Sequence, residues 1–389
     1  MKPNPGGQID PRDVMGRDAL IERLWATLRQ QSVALLAERR MGKTCITKKM
    51  TAECPRGVLP VWQELEGAHS PLEFVEAVFH EVDRYLSRWN RAAGRVHKLL
   101  GQVSGGAVAG IKFPAAAAGH WKALFLNMME DLAEHQQDMV VFFWDELPMM
   151  LKNIKDRHGE ETAMELLDAM RSIRQSHDRI RMFFTGSIGL HNVLTSLKQS
   201  GHPSAPINDM HVEDLSPLAL PDAMELARRL LKGEGLLDGL TDSLPKVIAQ
   251  EVDRIPYYIH HVVSQMARSH TEPTPEAVRQ LVTGCLTSDQ DLWEMDHFLS
   301  RVDVYYDKGD QAVVLGLLDV LAGAKEPLSF TRVFSLLKSQ VPTDDREDVR
   351  RLLKLLRRDH YLTMDKQGLY RFRYPLIQRW WRLERGLPR

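Results

Sequence analysis

Only three cysteines occur in the 389 residues, Cys45, Cys54 and Cys285, and they are widely scattered. That excludes a disulfide framework and a cysteine-built zinc site, and it suits a reducing compartment. No apolar run approaches the roughly 18 residues needed to span a bilayer. The N-terminal "MKPNPGGQID" lacks the apolar core of a signal peptide. A cytoplasmic location and no membrane contact are therefore the expectation. Neither sign of charge dominates, with 51 Lys and Arg against 52 Asp and Glu and a net charge of −1. The whole chain thus exerts no general attraction on nucleic acid, and any such binding must come from a local patch. What remains is an ordinary globular composition, 43% hydrophobic and 26% charged, long enough for more than one domain.

Residues Asp18 to Gln30 carry apolar side chains at helical spacing, and "SVALLA" (Ser32 to Ala37) then reads as a buried strand. Further strands are expected over Gly57 to Trp62, Met139 to Trp144, Ile180 to Thr185 and Asp209 to Val212. Helical stretches separate them over Pro71 to Trp89, Trp121 to Glu134 and Glu160 to Ser176. Such alternation predicts an α/β fold, a mainly parallel sheet flanked by helices. The small, weakly polar "GQVSGGAVAGIKFPAAAAG" (Gly101 to Gly119) reads as a hairpin or flexible insertion. After Val212 the pattern is helical: Pro221 to Lys232, Leu244 to Ala249, Pro256 to Ser269 and Pro275 to Leu286, the last opened by a Thr274-Pro275 cap.

Between the first strand and a following helix (Cys45 to Ala52) lies "AERRMGKT". This is the phosphate-loop pattern G-x-x-x-x-G-K-[ST] with Ala37 in place of its first glycine. In such a loop, backbone N–H groups at Arg39, Arg40, Met41, Gly42, Lys43 and Thr44 converge on phosphate at a helix N-terminus. Lys43 would reach the β- and γ-phosphates and Thr44 would ligate Mg²⁺. Ala37 matters only if its backbone needs a positive φ, where a Cβ costs about 1 kcal/mol. The strand "MVVFFWDE" ends in two carboxylates. Asp145 is placed to hold Mg²⁺ through water, and Glu146 to deprotonate the attacking water. "RIRMFFTGS" ends in Thr185, Gly186 and Ser187. There Thr185 is either a γ-phosphate sensor or simply the exit of a strand into a turn.

Taken in order, "VMGRDALIERL" (Val14 to Leu24), "AERRMGKT", "FFWDE", "FFTGSIGL" (Phe183 to Leu190), "LSPL" (Leu215 to Leu218) and "RIPYYI" (Arg254 to Ile259) resemble the STAND-type, AAA+-related P-loop ATPases, specifically the archaeal ATPase family. The resemblance runs over nearly the whole chain. It implies ATP and Mg²⁺ as ligands, adenine contacts at Val14, Gly16 and Arg17, and nucleotide contacts from the loop through Cys45. It also implies a lid whose G-x-P motif corresponds to Arg254-Ile255-Pro256. Arg254 stands where that family usually has glycine. Arginines acting on a neighbouring subunit are typical of related assemblies, and Arg171, Arg174 and Arg181 are candidates, with plain helix-surface charge as the alternative.

At the C-terminus, helices over Gln311 to Ala322, Phe330 to Ser339 and Asp344 to Arg358 precede a hairpin at Tyr361 to Tyr374 with its turn at Lys366-Gln367-Gly368. Three helices and a wing describe a winged helix, which the resembled family often carries. Arg350, Arg351, Arg357 and Arg358 on the third helix, with Arg371 and Arg373 on the wing, suit phosphates across a DNA groove. Asp344, Asp345, Glu347 and Asp348 suit a helix N-terminus and would repel DNA there. Double-stranded DNA and a partner protein both stay open as ligands of this domain, as does a homo-oligomer. The expected organisation is an arm at 1–12, an ATPase core at 13–214, a helical lid at 215–287, a linker helix at 288–309 and a winged helix at 310–389. The expected function is an ATP-driven switch. Its rivals are a binding module or a scaffold in which ATP is structural.

Overall fold

Five short strands of the N-terminal half line up as one sheet: β1 (Val33–Ala37), β2 (Val58–Glu64), β3 (Met139–Asp145), β4 (Ile180–Ser187) and β5 (His211–Asp214). The computed structural model describes residues 1–86, 96, 99, 113–187, 206–236, 243–270 and 272–387. Every strand pair is parallel, in the spatial order β2-β3-β4-β1-β5. The expected insertion at 101–119 falls largely outside the described residues; its end forms a 3₁₀ turn, Ala115–His120. The last residues of "FFTGSIGL", 188–190, also lie outside them.

Paired on both edges, β3 is also buried on both faces, which is why its sequence is continuously apolar rather than alternating. Trp144 packs against Phe74 and Phe184 at centroid distances of 5.2 and 5.8 Å. Phe143, on the opposite face, meets Trp25 at 5.9 Å and Phe183 at 5.2 Å. Among the described residues, the helices that accompany the strands include α1 (Asp18–Leu28), α2 (Lys43–Ala52), α3 (Pro71–Leu86), α4 (Trp121–His135), α5 (Leu147–His158) and α6 (Glu160–Ser176). Of these, α5 has no counterpart in the sequence reading. Its Pro148 lies in the first turn, where the missing N–H has no intrahelical partner to lose.

The chain divides into two compact units. One comprises Asp10–Ala37 and Lys43–Leu215; the other comprises Met1–Ile9, Glu38–Gly42 and Ser216–Arg389. The second unit is built from α7 (Leu220–Gly233), α8 (Ser243–Glu251), α9 (Pro256–Arg268), α10 (Pro275–Leu286), α11 (His297–Tyr305), α12 (Lys308–Ala322), α13 (Phe330–Lys338) and α14 (Arg346–Arg358). A two-stranded antiparallel hairpin, β6 (Leu362–Met364) and β7 (Tyr370–Phe372), follows, and then α15 (Pro375–Glu384). Leu328 bridges to Tyr370 as a third, single-residue strand beside the hairpin. Thr274 caps α10 through the Ala277 N–H at 3.2 Å. Asp345 caps α14 through the Glu347 and Asp348 N–H groups at 2.8 and 3.0 Å, so the acidic cluster there satisfies a helix start. Trp380 and Trp381 are buried, and the Trp381 indole donates to Asp319 at 2.8 Å.

Among the described residues, no helix is long and apolar enough to cross a membrane.

Candidate nucleotide site

In the first unit, the C-terminal ends of β1, β4 and β3 are neighbours in the sheet, and open α/β sheets place ligands beyond such ends. Lys43 opens α2 and is 6% exposed, and its ammonium donates to the Ala37 carbonyl at 3.1 Å. The next residue, Thr44, donates its hydroxyl to Asp145 Oδ2 at 2.6 Å. The other oxygen of Asp145 accepts the Thr185 hydroxyl in a close contact. Because β4 lies between β1 and β3, Thr185 reaches the carboxylate from the adjacent strand end. Asp145 and Thr185 are 3% and 1% exposed, so this chain of two hydroxyls on one carboxylate is fixed by its surroundings.

Glu146 follows in a left-handed conformation (φ 53°, ψ 37°) as the N-cap residue of α5. A non-glycine residue held there costs of order 1 kcal/mol or more, and such strain concentrates at functional turns. The turn is pinned by the Met149 and Met150 N–H groups on the Glu146 carbonyl at 3.1 and 3.3 Å. Gly186 explains how it fits: a Cβ there would meet Pro148 Cγ at 2.3 Å. The glycine of "TGS" is thus required for α5 to start against β4, a role that its sequence surroundings do not reveal. Glu64, exposed at the end of β2, stands in register with Asp145 and was also not singled out from sequence.

The loop's absent first glycine has a clear outcome. Ala37 is the last residue of β1, paired with Ser187, and it is not among the residues with positive φ. The positive φ angles fall instead at Arg40 (72°) and Gly42 (90°). An added Cβ at Gly42 would meet nothing within 4 Å, so this glycine answers to backbone angle and not to crowding.

The segment implied for adenine also approaches α2. Lys49 donates to the Pro11 carbonyl at 3.3 Å, Val14 closes a short 3₁₀ turn, Gly16 has φ 66°, and buried Arg17 opens α1. Burial raises the Cys45 thiol above its ordinary pKa, with Lys48, Asp145 and Arg17 all near enough to act on it.

In the second unit, Arg39 is exposed, Met41 is buried, and Arg40 is engaged. The Arg40 guanidinium lies 4.0 Å over the Tyr257 ring and pairs closely with Glu294. Pro256 occupies the first turn of α9. Arg254, exposed, has φ 60°, which accounts for glycine being usual at that position in the resembled family. Its carbonyl accepts the Leu218 N–H at 3.2 Å. Arg254 lines a cavity of about 670 Å³ together with Lys325, Arg371 and Arg373.

Two of the candidate trans-acting arginines, Arg174 and Arg181, are buried. Arg174 is buried against Asp209, donating to both carboxylate oxygens at 2.8 Å, and to the Pro206 carbonyl. Arg181 is 9% exposed and donates to the Leu28 carbonyl at 2.9 Å. Both hold their own unit together, and breaking a buried pair of the Arg174 kind leaves an uncompensated charge. Arg171 is half-buried on α6, its Nε enclosed.

For Mg²⁺ the donor set fits. Thr44 and Asp145 present two hard oxygens 2.6 Å apart at a strand end, and Mg²⁺ commonly takes one or two protein oxygens with phosphate and water completing the shell. Among the described residues, no group of three or more His, Cys, Asp or Glu forms a protein-only metal cage.

No protein-family model matches the chain, and no curated protein matches it in sequence. Solved structures do. The Walker-type ATPase PABY2304 of Pyrococcus abyssi superposes with a TM-score of 0.64 over 95% of this chain and 97% of its own, at 15% identity. The fold is that of the P-loop ATPases. The ORC2 protein of Aeropyrum pernix, solved as ADPNP–ADP complexes, follows with a TM-score of 0.53 over 98% and 96%, at 13% identity. At these identities the likeness is one of fold, and the chemistry rests on the residues described above.

Proposed function

We propose that this P-loop chain is an ATP-binding, ATP-hydrolysing switch of the STAND/AAA+ type, with a winged helix at its C-terminus as the responsive element. The observation that carries the reading is the Asp145 carboxylate, which joins Thr44 at the start of α2 to Thr185 at the end of β4, beside Lys43, whose ammonium is bonded to the Ala37 carbonyl at the end of β1. Lys43 and the loop amides bind the β- and γ-phosphates. Thr44 and Asp145 would hold Mg²⁺, which would offset phosphate charge. Thr185 acts as a positioning residue through Asp145. Glu146 accepts the proton of the water that attacks the γ-phosphorus, while the bond to the ADP oxygen breaks. Val14, Gly16 and Arg17 take the adenine side.

The DNA reading of the winged helix is narrowed by pairing within it. Arg350 is paired with Glu347, and Arg351 with Asp348 and Asp310. Arg357 is half-buried toward Met364. Lys354, Arg358 and Arg371 are exposed, and they carry the proposal for phosphate contact. That pairing also favours the second reading, in which this domain docks a protein. Release of phosphate from ATP, measured with and without Mg²⁺, tests the enzyme reading: Mg²⁺-dependent turnover supports it, and none at any Mg²⁺ concentration rejects it.

A further inference from the structure

Glu38 is the second residue of the loop and its one acid, and it does not face solvent. Its carboxylate, 2% exposed, accepts Arg301 Nη1 at 3.1 and 3.0 Å through its two oxygens. One of those oxygens also accepts the Arg39 N–H at 2.8 Å, so the carboxylate fixes the loop backbone as well. His297 stands 3.7 Å away. On its other side, Arg301 Nη2 donates to the Asp359 carbonyl, just past the end of α14, at 2.7 Å. The Arg301 guanidinium also lies 4.6 Å over the Tyr361 ring. The Asp359 carboxylate accepts the Tyr306 hydroxyl, and the Tyr361 hydroxyl donates to the Phe298 carbonyl, both in close contacts. His360, between them, is buried with φ 61°. A single guanidinium therefore ties the loop to the turn that joins α14 to the hairpin.

We propose that Arg301 is a positioning residue that latches the Glu38–Gly42 loop to the C-terminal end of α14, so that loop geometry and hairpin position open together. The regulatory consequence rests on the nucleotide reading given above. Glu38 is five residues before Lys43 in the chain, so release of Glu38 loosens the backbone that carries the phosphate donors. The arrangement suits a switch for a physical reason. A buried ion pair adds little net stability over an apolar pair, but removing one partner alone is strongly unfavourable. The contact is therefore either made or fully parted, with few stable positions between. Burial by itself would raise the Glu38 carboxyl. Arg301, with His297 and His360 behind it, outweighs burial and holds the carboxyl well below the usual carboxylate range, so the pair stays charged near neutrality.

The test is hydrogen–deuterium exchange on the nucleotide-free full chain, wild type against Glu38→Gln. Peptides covering 38–42 and 357–361 should both exchange at least tenfold faster in the variant, with peptides over Met139–Asp145 unchanged. Faster exchange in only one of the two segments, or in neither, overturns the latch. Should Glu38→Gln fail to fold, Glu38→Gln combined with Arg301→Met leaves no unpaired buried charge and serves the same comparison. In a second arm, N-methylanthraniloyl-ADP should dissociate at least fivefold faster from the variant than from wild type; equal rates overturn the regulatory role. If wild type binds no nucleotide, the reading of the preceding section fails together with that role, while the exchange pattern still decides the latch itself.

Discussion

The hydroxyl of Thr44 donates to Asp145, 101 positions further along the chain, at 2.6 Å. That bond joins the two halves of the expected nucleotide site, the loop and the acidic strand end. From β4, which lies between β1 and β3, Thr185 donates to the other oxygen of the same carboxylate.

Ala37 should be a harmless departure from the loop pattern. Its backbone is that of a strand residue, so glycine there relieves no strain. Ala37→Gly is expected to leave ATP affinity within about twofold of wild type and to lower stability by roughly 0.5–1 kcal/mol through the entropy of the unfolded chain. Calorimetric titration with paired thermal melts checks both. A large gain in affinity would show that the loop is impaired as it stands.

Glu146→Gln should bind ATP as wild type does but release phosphate at least tenfold more slowly, on the scale typical of a lost general base. Unchanged release would remove Glu146 from the mechanism and shift weight to a structural role for ATP.

Gly186→Ala inserts a methyl group where the Pro148 ring already stands, at 2.3 Å from the ideal Cβ position. Proline cannot swing aside, so the start of α5 must move. A loss of about 1–3 kcal/mol is expected for such overpacking, with slower hydrolysis because Glu146 lies two residues before Pro148. A variant as stable and active as wild type would contradict the placement of that turn.

Asp253 carries a pH dependence of definite sign. Burial raises its carboxyl to about 6, opposed by the Leu376 N–H at 2.7 Å and by Arg254 and Arg379, with Glu251 adding to the rise. A raised acid binds its proton more tightly when folded. Its contribution is therefore favourable at low pH and is lost as pH rises from about 4 through about 6, by at most about 2–3 kcal/mol. Denaturant melts between pH 4 and 8 should show that fall, and Asp253→Asn should flatten it. A variant with the wild-type slope assigns the dependence elsewhere.

Much of the sheet was legible because its strands are buried on both faces and read as unbroken apolar runs, "VALLA" and "MVVFFW" above all. The meeting of Thr44 with Asp145 was foreshadowed because the phosphate-loop pattern and the acidic strand end have local signatures. The partners of Glu38 were not: Arg301 lies 263 positions away, and neither residue's surroundings announce a buried pair. Arg174 and Arg181 read as trans-acting candidates or as plain helix-surface charge, whereas burial of their guanidinium groups depends on Asp209 and on the Leu28 carbonyl, contacts set only by the fold. The helix α5 was not read from the sequence; it begins at Leu147, with Pro148 in its first turn.

For the proposed winged helix, a salt titration of duplex DNA binding separates the two open readings. If DNA is held there, the slope should be about −0.9 per phosphate neutralised. Replacing Lys354, Arg358 and Arg371 with Ala should flatten it more than replacing the internally paired Arg350 and Arg351. No binding at low salt with ATP present would make this domain a protein-docking surface.

ATP binding at Lys43 and the Thr44–Asp145–Thr185 set is decided by calorimetric titration of ATP with Mg²⁺ into wild type and Lys43→Ala. The Lys43 ammonium is buried and aimed across the loop at the Ala37 carbonyl. Wild type should bind saturably and Lys43→Ala should lose at least tenfold in affinity, with the melting temperature of the nucleotide-free variant within a few degrees of wild type. Equal ATP affinity in the two proteins would contradict binding at this site.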